Sequence, residues 1–132
     1  MENFSVKIIL PSKTALSTDA TMVSIPGKDG DFTVLKGHVR LISNIKIGIV
    51  SIFANDKQIK YFVYGGIAQV NQNELNILSD FAVNIDDFSK TIVLDNIASL
   101  QNKLSEIIDK DSLEAQITFD KLEKYQALLK FL

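Results

Sequence analysis

The spacing of the apolar residues changes once along this chain, at Asp86-Asp87. Before that point, short apolar runs alternate with polar residues, as in Phe4 to Leu10, and turn-forming segments such as Pro26 to Asp31 separate the runs. Alternation with a period of two is typical of strands that bury one face. Many short strands at close spacing favour a sandwich or a barrel. After Asp86-Asp87 the period becomes helical.

The helical part divides into two segments. In the first, the apolar residues fall on one narrow face, which predicts a helix with one buried side; they are Val93, Ile97, Leu100, Leu104, Ile107 and Ile108. Asp109 to Ser112 breaks the pattern, and Asp111 with Glu114 resembles a capping box that would start a second helix. The apolar arc of the second helix is wide. It indicates burial on two sides, or a helix wedged between its partner and the sandwich.

The chain is therefore predicted to be mainly β with an α tail. We expect an antiparallel β-sandwich of about ten strands over residues 1–86, followed by an antiparallel two-helix hairpin over residues 87–132. Within the sandwich, Asn55-Asp56-Lys57 and Asn71-Gln72-Asn73 are interpreted as hairpin connections. Gly65-Gly66 is interpreted as the end of a strand, with a bend or a bulge.

Composition excludes several classes of function. The chain has 132 residues, is 46% hydrophobic and 23% charged, and has a net charge of −2, which suits a folded domain and argues against a nucleic-acid binder. Arg40 is the only arginine. There is no cysteine and a single histidine, His38, so we expect neither a disulfide nor a His- or Cys-based metal site. The N-terminus predicts no signal or transit peptide, and no run is long enough for a membrane span.

The residues offer little for catalysis. Asp29 and Asp31 flank Gly30, which favours turn formation, and Asp86-Asp87 precedes a helix, which favours capping. A phosphate-binding loop is not supported, because no GxxxxGK[ST] segment is present. His38 follows Gly37 and is interpreted as a hydrogen-bonded loop residue. We therefore expect no catalytic residues, no metal and no cofactor.

Two stretches carry a resemblance to a known family. Ile25 to His38 reads IPGKDGDFTVLKGH and is similar to the signature PG-x-x-GDFGVLPGH of the epsilon subunits of F-type ATP synthase, the counterpart of the mitochondrial delta subunit. Leu41 to Ser43 matches its continuation. Phe62 to Val70 and Ile77 to Ala82 resemble the later pattern FVSGGFAEV…VLADEA. The departures, Thr33, Lys36 and Arg40 at family glycine or proline positions, are adjustments of turns.

The resemblance implies a non-catalytic rotor subunit of the central stalk. Its sandwich would contact the gamma subunit and the c-ring, and its helices would reach the catalytic alpha/beta hexamer. Asp31 stands at the family's acidic position facing the c-ring, with His38 and Gly30 as further candidates for that contact. The subunit would be peripheral, on the cytoplasmic face of a bacterial inner membrane, without membrane insertion.

In family members that bind ATP, the first helix carries I-[LI]-D-x-x-R-A and the second helix carries arginines. Leu94 and Asp95 begin this motif here, but Ala98 stands at the arginine position and the second helix has no arginine. The pair is interpreted as a vestigial nucleotide motif, and inhibition of ATP hydrolysis by the tail is expected to be weak or absent. The alternatives are a stand-alone small β-sandwich that binds a ligand or nucleotide, and a small hydrolase.

Overall fold

A computed structural model describes residues 2–132. It forms two compact units, divided between Ile85 and Asp86. The first unit contains eight strands: β1 (Phe4–Ile9), β2 (Thr14–Ala20), β3 (Met22–Ile25), β4 (Phe32–Val34), β5 (Leu41–Ala54), β6 (Lys57–Val70), β7 (Glu74–Leu78) and β8 (Ala82–Asn84). A single 3-10 turn, Ile85–Asp87, follows them. The second unit contains α1 (Lys90–Glu106) and α2 (Leu113–Leu129).

The long hairpin of β5 and β6 lies at the centre of the sheet in the first unit. The two strands have 14 residues each and pair from Ala54↔Lys57 to Leu41↔Val70. A two-residue turn joins them, and both of its residues have positive φ, 49° at Asn55 and 63° at Asp56. This turn conformation matches the twist of the flanking strands. The hairpin predicted at Asn55-Asp56-Lys57 is confirmed.

The sheet folds over so that β5 and β6 belong to two layers. In one layer, the first half of β6 pairs with β8 and the last half of β5 pairs with β3, which in turn pairs with β4. The opposite halves lie with β7, β1 and β2. All pairs are antiparallel except β1 with β7. The prediction of a mainly β sandwich with a helical tail is confirmed. About ten strands were expected, and the described residues form eight. The number is smaller because β5 and β6 each run through both layers.

The crossing between layers lies at Gly65-Gly66, within β6. Both glycines have positive φ, 74° and 142°. A Cβ at Gly66 would overlap the carbonyl oxygen of Leu78, so the close approach of β7 requires glycine there. The buried Ser79 hydroxyl lies 2.7 Å from the carbonyl oxygen of Gly65 and 3.0 Å from that of Phe81. The bend predicted at Gly65-Gly66 is confirmed, but the strand continues through it instead of ending.

The core of the first unit is apolar and comes from both layers. Its fully buried larger side chains include Val6, Ile8, Val23, Ile25, Val34, Val50, Ile52, Val63, Leu75 and Ile77. The alternation in β1 is confirmed, because Phe4, Val6 and Ile8 are buried while Lys7 is exposed. Burial of these apolar side chains drives folding of the unit, because each Å² of apolar surface removed from water contributes roughly 25 cal/mol of free energy.

The second unit is a helical hairpin with serine caps. Ser89 accepts a hydrogen bond from the backbone N–H of Ile92, and Ser112 accepts one from that of Ala115. The predicted cap at Asp111 is wrong by one residue. The Asp111 N–H instead donates to the Asp109 carboxylate, which places Ser112 at the helix start.

The seam between the two helices follows the predicted face in part. Val93 and Ile97 are buried on α1, and Ala115, Thr118 and Leu122 are buried along one face of α2. Leu128 is also buried, but it lies on another side of α2. Ile108 was predicted on the same face but is 99% exposed. The reason is that α1 ends at Glu106 and Ile107 is its extended C-cap, so the helical period no longer holds at Ile108. Phe119, at the edge of the wide α2 arc, is exposed.

Candidate functional site

The turn before β4 holds Gly30 and Asp31 against β5. The backbone N–H of Lys28 donates to the carbonyl of Asn44, and that of Lys46 donates to the carbonyl of Pro26. Gly30 donates its N–H to the carbonyl of Gly27 and has φ 134°, with open space where a side chain would stand. The turn is therefore fixed at its base and open to solvent at its tip.

Asp31 presents its carboxylate at the surface. Its Oδ1 lies 3.4 Å from the Nζ of Lys46, and both side chains are mostly exposed. An exposed pair of this kind contributes little to stability, typically 0 to about 1 kcal/mol. The carboxylate is thus positioned by the turn and remains accessible to a partner's polar or cationic groups.

His38 lies at the opposite end of β4 from Asp31, in a turn of its own. Its backbone N–H donates to the carbonyl of Leu35, and the Nδ1 atom of its ring lies 2.8 Å from the carbonyl oxygen of Val39. The adjacent Gly37 has φ 84° and donates its N–H to the carbonyl of Gln72. The structure therefore brings His38 to the β6–β7 connection. It does not bring His38 into a common cluster with Asp31.

Leu94 and Asp95 lie on the solvent side of α1. Both are exposed, as is Ala98 one turn later. Asp95 takes part in neither the Lys36–Glu2 nor the Lys46–Asp31 ion pair. The positions of the partial nucleotide motif thus form no enclosed site within the hairpin.

A further surface, which the sequence analysis missed, is an apolar row across three strands. Ile9, Leu78 and Ile67 are register partners on β1, β7 and β6. Leu78 and Ile67 are exposed, and Ile9 is partly exposed. A groove of about 530 Å³ is lined by these three residues together with Gly65 and Gly66. The row could not be found from the sequence, because it depends on the register between three strands and the alternation within one strand does not show that register.

The described residues hold no group of three or more His, Cys, Asp or Glu side chains suited to a metal ion. No helix within residues 2–132 is long and apolar enough to cross a membrane. The buried hydroxyl groups of Ser79 and Thr118 donate to backbone carbonyls. What the surface does present is the exposed turns and the apolar row described above.

These features define a class of protein, a β-sandwich followed by a helical hairpin. Residues 3–85 match the family model described as the ATP synthase delta/epsilon chain, beta-sandwich domain. The chain therefore belongs to the ATP synthase delta/epsilon family. Members of this family are subunits of ATP synthase other than the catalytic one.

Relatives named ATP synthase epsilon chain match most of the chain. The protein of Nitrobacter winogradskyi is 31% identical over 128 residues, covering 97% of this chain and 93% of the relative. That of Rickettsia typhi is 36% identical over 107 residues, covering 79% of this chain and 96% of the relative. The Rickettsia relative is therefore shorter. Its match leaves about a fifth of this chain without a counterpart.

Two solved structures share the fold. A chain of the Euglena gracilis mitochondrial ATP synthase, OSCP/F1/c-ring, aligns with a TM-score of 0.64 and 18% identity over 96% of this chain and 81% of that one. A chain of the Tetrahymena thermophila mitochondrial ATP synthase, central stalk/c-ring, aligns with a TM-score of 0.56 and 14% identity over 98% and 96%. At these identities the likeness shows the fold alone.

Proposed function

We propose that this protein is a non-catalytic rotor subunit of the central stalk of an F-type ATP synthase. It would couple rotation of the c-ring to the catalytic alpha/beta hexamer through the gamma subunit. The observation that carries the proposal is the match to an epsilon chain along 97% of this chain and 93% of the relative. The match includes the helical hairpin as well as the sandwich.

We assign different partners to different surfaces. The turn that carries Gly30 and Asp31 projects an accessible carboxylate, which suits polar contacts with the c-ring, and His38 would contribute from its separate turn. The apolar row of Ile9, Leu78 and Ile67 suits the gamma subunit, because burying exposed apolar area favours stable association. In this assignment residues 1–86 contact partners, and residues 87–132 form an accessory element.

The location follows from the assembly. Attached through gamma and the c-ring, the subunit would be peripheral, on the cytoplasmic face of a bacterial inner membrane. The alternative, a stand-alone nucleotide-binding module, has less support. Leu94 and Asp95 are exposed on one helix, and Ala98 supplies no charge for a phosphate.

The experiment is a pull-down of the tagged chain with the gamma subunit of the same source, followed by gel filtration. We expect a stable one-to-one complex. The Ile67→Lys variant places a charge in the apolar row and should weaken the complex, whereas Lys57→Glu, at the exposed first residue of β6, should not. A wild-type chain that elutes alone in mild salt would refute the rotor assignment.

We further expect that deleting residues 111–132 changes ATP hydrolysis by the assembled enzyme less than twofold. Between Asp111 and Leu132 the chain carries Lys121, Lys124 and Lys130 against Asp111, Glu114, Asp120 and Glu123. This segment has no excess of positive charge with which to engage an acidic partner. The measurement is steady-state hydrolysis with the full-length and the shortened chain. A several-fold rise on deletion would show that the tail is a strong inhibitor.

A further inference from the structure

The first unit has an open strand edge at the start of β5. The N-terminal half of β5 pairs with β6 on one side. On its other side the turn from Pro26 to Lys28 covers only the stretch from Asn44 to Lys46, through two backbone hydrogen bonds. We call the uncovered stretch, residues 41–43 of β5 together with the preceding residues 39 and 40, the free edge.

The direction of the backbone groups at the free edge follows from these two bonds. The carbonyl of Asn44 and the N–H of Lys46 both point away from β6, toward the covering turn. In an antiparallel ladder, alternate residues direct their backbone groups to the same side. Ile42 therefore also points its N–H and C=O away from β6. Within residues 2–132 no backbone or side-chain group forms a hydrogen bond with them.

The side chains at the free edge are unusually apolar for such a position. Ile42 and Val39 are each 74% exposed, and Leu41 is also exposed. Proteins normally protect an open edge with charges, with very short strands or with a covering segment. The other edges of this sheet follow that rule. β4 and β8 have only three residues each, and β2 exposes Ser17 and Asp19.

We propose that the free edge receives an extended segment of another ATP synthase subunit as an added strand. A strand is the occupant that satisfies the outward N–H and C=O of Ile42, which a helix cannot do. Apolar side chains of the segment would cover Val39 and Ile42. A carboxylate on it would pair with Arg40, which forms no ion pair within the described residues.

This inference rests on the proposed function for the identity of the partner. It adds the kind of contact and its place on the chain. The free edge and the apolar row are different surfaces. The free edge is the side of β5 that faces away from β6, whereas the apolar row crosses β6, β7 and β1. The two surfaces can therefore be tested with different substitutions.

The test compares two replacements of Ile42 for rebinding to an ATP synthase complex stripped of this chain. Ile42→Pro removes the outward N–H and costs no hydrogen bond to β6, so the isolated variant should still fold. Ile42→Thr keeps the N–H and the strand preference and removes only apolar contact. We expect the proline variant to raise the dissociation constant about tenfold and the threonine variant to raise it less.

Hydrogen exchange of the wild-type chain provides the second measurement, and it decides the question should the proline variant fail to fold. We expect the segment of residues 38–46 to exchange more slowly in the assembled complex than in the isolated chain. Assembly with unchanged exchange there, or equal weakening by proline and threonine, would overturn the added strand and leave the rotor assignment intact. A wild-type chain that does not join the complex at all would overturn both.

Discussion

Replacing Gly66 with alanine is expected to destabilise the sandwich by about 4 kcal/mol. Two costs combine at this position. The φ of 142° lies where residues with a side chain are strained, at roughly 1 to 3 kcal/mol, and the new methyl group would overlap the carbonyl of Leu78, at about 1 to 3 kcal/mol or more. The carbonyl belongs to the backbone of β7, so a side-chain rotation cannot relieve the clash. Urea unfolding followed by circular dichroism measures the loss.

Gly30→Ala is a matched control for this prediction. Gly30 has a similar φ of 134°, but nothing lies within 4 Å of where its Cβ would be. This variant should lose only the cost of the backbone strain, about 1 to 3 kcal/mol. Equal losses in the two variants would mean that the close approach of β6 and β7 is not what requires a glycine at position 66.

The second large effect is expected at Leu122, in the middle of α2. Its side chain is 6% exposed and lies on the buried face of the helix with Ala115 and Thr118. Truncation of a buried leucine to alanine costs about 2 to 5 kcal/mol. A hairpin of this size has little stability in reserve. Leu122→Ala should therefore raise the hydrogen-exchange rates of the amides in α1 and α2 by roughly a hundredfold.

Leu113→Ala tests whether burial is the cause. It is the same substitution on the same helix, but Leu113 is 71% exposed. Exposed substitutions usually change stability by less than about 0.5 kcal/mol, so exchange in both helices should stay close to that of the wild type. A comparable acceleration in the two variants would contradict the seam described for the hairpin.

The sequence predicted those parts of the fold that depend on local patterns. The alternation in β1, the turn at Asn55-Asp56 and both helices were all visible from the spacing of residues. β2 was not predicted. Its sequence, TALSTDA, contains no strong alternation, and as an edge strand it buries only its last residue, Ala20. Pairing with β1 determines its conformation, and pairing is not a local property.

The candidate site was harder to predict than the fold, for the same reason. The motif around Gly30 and Asp31 could be seen in the sequence, but its attachment to β5 depends on contacts between Pro26, Lys28 and residues 44–46. The apolar row and the free edge of β5 exist only once the strand register is fixed. A single sequence shows which residues alternate. It does not show which strands they face.

The 14-residue strands β5 and β6 have a mechanical consequence. Each is about 45 Å long when extended, and 13 register pairs join them across the fold of the sheet. Because both strands run through both layers, sliding one layer over the other would have to stretch covalent backbone. A force applied to the loops at one end of the β5–β6 hairpin is therefore transmitted to the other end as tension along the backbone. Little of it is taken up by sliding of one layer over the other.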